Sequence, residues 1–163
     1  MSNHLNEQRL PLVLVLDNVR SLHNVGAIFR TADAVHLEEI ILGGLTPHPP
    51  RHEITKTALG ATETVPWRAY LSTLDALREL RGRGYTLCAL EQTGEAIPLS
   101  RTILTPPVAL VVGHERMGVS QAALELCDTH LYLPMHGQSA HSLNVAVATG
   151  VALYQIAEQI RTS

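Results

Sequence analysis

Val108-Ala109-Leu110-Val111-Val112-Gly113-His114-Glu115-Arg116-Met117-Gly118 is the stretch on which the fold turns. Its first five residues are apolar and rich in valine, as in a strand buried on both faces of a parallel sheet. The strand then stops in a charged loop bracketed by Gly113 and Gly118. With no side-chain bulk at either end, the backbone there can approach a ligand closely.

Outward from this stretch the chain alternates strand-like and helix-like segments. Leu12 to Leu16, Glu39 to Leu42, Tyr85 to Leu90 and His130 to Leu133 read as strands, and Leu59 to Val65 as a turn into a short strand. Asn24 to His36, Ser72 (as N-cap) to Arg81, Gln121 to Cys127 and Asn144 to Ile160 read as helices. Thr46 to Arg51, with three prolines, is a loop. This βαβ alternation predicts an α/β fold, a mostly parallel sheet flanked by helices. No repeat or linker divides the chain, so residues 11–163 are expected to form one domain behind a loose tail over 1–10.

Open parallel sheets bind ligands at the carboxyl ends of their strands. Four such ends are unusual here: Asp17-Asn18 leading to Asn24-Val25-Gly26, Glu91-Gln92-Thr93-Gly94, Gly113 to Gly118, and Pro134 to Gly137 running on to Ser142-Leu143-Asn144. Together they predict one site made from loops. There is no GxGxxG after the first strand, no GxxxxGK[ST] and no GxSxG. Dinucleotide binding of the ordinary kind, P-loop phosphate transfer and α/β-hydrolase chemistry therefore lose support. On the first helix Gly26 and Arg30 lie four residues apart on one face, where Gly26 would leave room beside Arg30. Asn24 is the expected N-cap, which would present backbone N–H groups to an anion.

Composition narrows the function further. The net charge is −3, so tight sequence-blind binding of nucleic acid is not expected. Eleven of the twelve basic residues are arginine, whose planar fork suits phosphate, although a GC-rich genome would give the same bias. Cys88 and Cys127 form no CxxC pair and read as reduced core thiols, and the nine histidines show no metal spacing, so no metal is expected. No apolar run is long enough to span a bilayer and Met1 to Arg9 has no secretion-signal pattern, so a cytoplasmic, non-membrane protein is expected. Leu143 to Leu153 is apolar nearly all round, which calls for two buried faces. One would meet the sheet, the other a second copy of the chain.

Three segments resemble the SpoU/TrmH branch of the SPOUT methyltransferases: Asn24-Val25-Gly26-Ala27-Ile28-Phe29-Arg30, Val111 to Gly118, and Leu133-Pro134-Met135 with Ser142-Leu143-Asn144. Lys56 to Ala61 resembles the link before that family's third strand. The resemblance implies a C-terminal deep trefoil knot, which general topology rules would not suggest. It implies an S-adenosylmethionine-dependent methyltransferase acting on a ribose 2′-OH of tRNA or rRNA and working as a homodimer through its first and last helices. Cofactor contacts would come from Leu90, Glu91, Gly113, Leu133, Met135, Ser142 and Leu143. The catalytic group would be Asn24, Arg30, Glu115, Ser142 and Asn144. A base nitrogen as acceptor, or a non-catalytic RNA-binding assembly factor, are the alternatives. Arginine keeps its proton in proteins, so Arg30 is expected to grip phosphate and steady the forming alkoxide rather than act as base. Asn24 and Asn144 are expected to orient the ribose, and Glu115 to hold Asn24 or a backbone amide.

Overall fold

The computed structural model describes residues 8–163. In chain order the elements are β1 (Leu10–Asp17), α1 (Leu22–Val35), β2 (Leu37–Gly43), α2 (His52–Ala58), α3 (Ala61–Thr64), β3 (Trp67–Tyr70), α4 (Thr73–Gly82), β4 (Thr86–Leu90) and β5 (Ile97–Pro98). A 3-10 turn (Leu99–Arg101) follows, then β6 (Val108–Gly113), α5 (Gln121–Leu126), β7 (Thr129–Tyr132) and α6 (Val145–Thr162). The strands form one seven-stranded sheet in the order β3-β2-β1-β6-β4-β7-β5, and every pairing is parallel.

Strand periodicity explains why the apolar runs are continuous. Leu12, Leu14 and Leu16 of β1, with Val108, Leu110 and Val112 of β6, face a core built with α1, α2 and α6. Val13, Val15, Ala109 and Val111 face the opposite core, built with α4 and α5. Alternate residues point to opposite faces, and both faces are covered, so every position must be apolar.

The strand order encodes the knot. β7 lies between β4 and β5, which residues 91–96 already connect. The chain reaches β7 from α5 on the α4 face and leaves it for α6 on the α1 face. It is therefore threaded through the loop that β4, β5 and β6 close.

Three expectations need correction. The turn and short strand expected over Leu59 to Val65 is the helical turn α3, and the strand is Trp67–Tyr70. Leu59 and Gly60 are both left-handed, at φ 49° and 90°, and this reversal starts a new turn of helix. Asn24 is not the cap of the first helix; Ser21 is, its Oγ accepting from Asn24 N at 3.2 Å. Gly26 does not leave room beside Arg30. A Cβ there would lie 1.8 Å from Thr57 Oγ1 and 2.4 Å from Ile54 O, so the glycine admits α2 against α1. As for the tail expected over 1–10, residues 1–7 lie outside the described residues. Arg9 donates to Leu37 O (3.0 Å) and Thr64 O (2.7 Å), and Leu10 opens β1.

Candidate functional site

The loop after β6 is the centre of the site, and it is pinned on three sides. It closes on itself through His114 N to Gly118 O (3.1 Å) and Gly118 N to His114 O (2.8 Å). The His114 ring fills the turn, its Nδ1 accepting from Arg116 N at 3.0 Å and Met117 N at 3.1 Å. Those two donors require the proton to sit on Nε2. From β4, Glu91 Oε2 accepts from Val119 N at 2.8 Å. From β1, the buried Asp17 accepts from Ser120 N at 2.8 Å. A Cβ on Gly113 would lie 2.2 Å from the Gly118 carbonyl carbon and 2.3 Å from Val119 N, so only glycine allows this closure.

Glu115 projects from that loop to the start of α1. Its carboxylate accepts from Ser21 N at 2.9 Å and Arg20 N at 3.3 Å, and from the side chain of Asn24. Burial alone would raise its pKa. The backbone N–H groups and the Asn24 amide outweigh that and hold the carboxyl below the ordinary carboxylate range. Asn144 Nδ2 donates in turn to Asn24 Oδ1 at 3.2 Å, across 120 residues of sequence. Asn144 Oδ1 caps α6, accepting from Ala146 N (2.8 Å) and Val147 N (3.2 Å). Glu115, Asn24 and Asn144 thus form one chain of hydrogen bonds linking the second motif loop, α1 and α6.

Beside this chain lies a cavity of about 300 Å³ at the carboxyl ends of β4, β6 and β7. All seven residues expected at the cofactor line it: Leu90, Glu91, Gly113, Leu133, Met135, Ser142 and Leu143. Of the five expected catalytic residues, Glu115 and Ser142 line the cavity; Asn24 and Asn144 stand behind Glu115, outside its wall. Arg30 is exposed on α1, also outside the cavity wall, and makes no hydrogen bond or ion pair with any described residue. Of the two histidines between Met135 and Ser142, His141 lines the cavity and His136 does not.

Sequence reasoning placed Asp17 and His114 in strand-end loops without giving either a role, and it missed Ser21. Ser21 carried a signal, since a serine three residues before Asn24 is a capping pattern. His114 carried none, because its function is to accept from its own turn.

A parallel sheet with a knotted carboxyl end and a cavity against the knot loops defines the class. The profile of the SpoU rRNA Methylase family matches residues 11–154, and the chain belongs to that family. A 23S rRNA (guanosine-2'-O-)-methyltransferase, RlmB, from Ralstonia nicotianae is 39% identical over 149 residues, 91% of this chain and 59% of the relative. The AdoMet-bound rRNA methyltransferase of Sinorhizobium meliloti superposes with a TM-score of 0.86 at 28% identity, covering 94% of this chain and 58% of that one. A structure described as giving insight into 2-OH methylation of C/U34 on tRNA matches at TM-score 0.82 and 29% identity, covering 93% of this chain and 97% of the other. The chain spans about three fifths of the length of the curated relatives it matches.

Proposed function

We propose that this chain transfers the methyl group of S-adenosylmethionine to a ribose 2′-oxygen of RNA. The observation that carries the reading is the hydrogen-bonded chain Glu115–Asn24–Asn144 at the edge of a strand-end cavity. The cavity suits the cofactor in kind: it is near the lower end of the ~300–1,000 Å³ usual for small-molecule sites, with apolar walls from Leu90, Val112, Leu133, Leu143 and Val145. Matched solved structures include one with AdoMet bound, and the curated relatives are named as ribose methyltransferases.

The cofactor would supply a methyl carbon activated by a sulfonium. The apolar side chains on part of the cavity wall would favour a step in which charge disappears. Glu115, held ionised by three donors, fixes Asn24, and Asn144 fixes its other end. The two amides orient the ribose hydroxyl, and much of the rate comes from that positioning. Arg30, with no partner among the described residues, holds the adjacent phosphate and the forming alkoxide. Ser142, at the cavity mouth, completes the acceptor side.

The working unit in this reading is residues 11–163, paired with a second copy in the cytoplasm. Val147 (53% exposed), Val151 (41%) and Tyr154 (56%) lie at i, i+4 and i+7 on the outer face of α6 and suit a partner's apolar surface. Among the described residues no helix is long and apolar enough to cross a membrane. Light scattering of the purified protein should give twice the 17.7 kDa of one chain, and a single-chain mass would refute the dimer. Incubation with total RNA and methyl-labelled cofactor tests the activity: label in the RNA is expected. RNA that stays unlabelled, with folded protein, would refute the activity.

A further inference from the structure

The Lys and Arg side chains of this chain fall into three groups. Arg68, Arg78, Arg81 and Arg83 are paired with acids: Glu39 and Glu79, Asp75, Asp128, and Glu38 with Glu39 and Glu79. Arg9 and Arg161 donate to backbone carbonyls. Arg20, Arg30, Arg51, Lys56, Arg101 and Arg116 are exposed, and their side chains bond to no described residue. Five of these six gather beside the site; Arg101, on the 3-10 turn, stands apart.

Their proximity follows from the contacts between elements. Arg116 adjoins Glu115, which is bonded to the backbone of Arg20. His23, one turn on from Arg20, accepts from Thr57 Oγ1 at 3.2 Å, beside Lys56. Arg51 opens the helix that carries Lys56, and that helix packs on α1 opposite Gly26, one turn before Arg30. The strip therefore runs from the mouth of the cavity across the start of α1 onto α2. Glu53 is the one acid in α2. Glu115, committed to Arg20 N, Ser21 N and Asn24, and Asp33, bonded to Thr64, also lie nearby, so a protein of net charge −3 keeps here a local row of cations in no ion pair with a described residue.

We propose that this strip is the track for the RNA phosphate backbone entering the site, with Arg20, Arg51 and Lys56 as phosphate contacts outside the catalytic group. The proposal rests on the function argued above. Unpaired cations cost little while solvated and gain most when they displace counterions from a polyanion. Pairing Arg68, Arg78, Arg81 and Arg83 with acids keeps non-specific binding low and favours this path.

The test is a titration of a fluorescently labelled single-stranded oligoribonucleotide of mixed sequence, followed by anisotropy over a salt series. The triple variant Arg20→Ala/Arg51→Ala/Lys56→Ala should bind at least about ten-fold more weakly at low salt. The slope of log affinity against log salt should fall by about 2, from ~0.7 per phosphate on a single strand. Its S-adenosylhomocysteine affinity should be native, which establishes that the site is folded. Arg20→Lys/Arg51→Lys should keep the slope, because lysine still neutralises phosphate. Arg78→Ala, from the paired population, should leave binding unchanged. A triple variant with native affinity and slope overturns the strip while leaving RNA methylation standing, as does an equal loss in Arg78→Ala. Native protein with no RNA affinity at all overturns both.

Discussion

Asn144 holds two positions at once, and two substitutions separate them. Its Oδ1 accepts from Ala146 N at 2.8 Å and Val147 N at 3.2 Å, while its Nδ2 donates to Asn24 at 3.2 Å. Asn144→Ala removes both. Loss of an N-cap costs about 1 kcal/mol and loss of a neutral hydrogen bond about as much again. At roughly 2–4 °C per kcal/mol for a domain of this size, the melting temperature should fall by about 4–8 °C. Asn144→Asp keeps the cap and adds a negative charge at the start of an 18-residue helix, a favourable change of ~0.3–1 kcal/mol.

The aspartate has no amide to donate to Asn24, and it sets a second carboxylate on the amide that Glu115 uses. A misplaced Asn24 loses about 1–3 kcal/mol of acceptor positioning, roughly five- to 150-fold in rate. Calorimetry and single-turnover methyl transfer should therefore disagree for Asn144→Asp: a melting temperature no more than about 3 °C below native, with a rate down at least about five-fold. An aspartate variant that transfers at the native rate would refute the positioning role of this amide. An alanine variant that melts at the native temperature would refute the cap.

Gly113→Ala puts a Cβ against the backbone of Gly118 and Val119, so the loop must open; cofactor affinity measured by calorimetry should drop by about 10²-fold or more, and native affinity would show that the closure is dispensable. Arg30→Ala should lower turnover by roughly 10²-fold with cofactor affinity unchanged, and Arg30→Lys should recover only part; a lysine variant exceeding the native rate at high pH would favour Arg30 as the base. Because hydrogen bonds lower the pKa of Glu115, its contribution to stability is present above the unfolded carboxylate pKa and lost only as pH falls through the lower folded value. Rate–pH profiles should thus show no Glu115 inflection within or above the ordinary carboxylate range, and one there that disappears in Glu115→Gln would contradict the ionised, positioning role. Burial pushes the thiol of Cys88 up to about 12, followed by smaller contributions from Cys127 and Asp128, so alkylation at neutral pH should be slow in folded protein; rapid labelling of Cys88 would show the β4–β7 region opening.

β1 and β6 were legible because each is long and apolar on both faces. Leu12 to Leu16 and Val108 to Val112 lie within β1 and β6, and the residues at their ends could be picked out by composition. β5 was not legible: two residues, one of them Pro98, carry no periodicity and pair only with β7. The loop around Leu59 and Gly60 misled because alternation over a few residues does not separate a short strand from a helical turn. The knot came from family resemblance alone, since threading depends on which strands β7 separates and leaves no local mark. The pairing of Asn24 with Asn144 likewise spans 120 residues; each amide was recognised as polar in a motif, but their bond belongs to the fold. The segregation of paired from unpaired arginines is invisible in a net charge and needs the positions of the acids.

Locating the transferred methyl group tests the account most directly. RNA labelled by the native protein from methyl-labelled S-adenosylmethionine would be digested to nucleosides and analysed by mass, with a parallel alkaline hydrolysis. Label on the ribose as a 2′-O-methylnucleoside, in alkali-resistant dinucleotides, is the predicted result. Label on a base, released in alkali-labile mononucleotides, would contradict the reading of Glu115, Asn24 and Asn144 as a ribose-orienting chain.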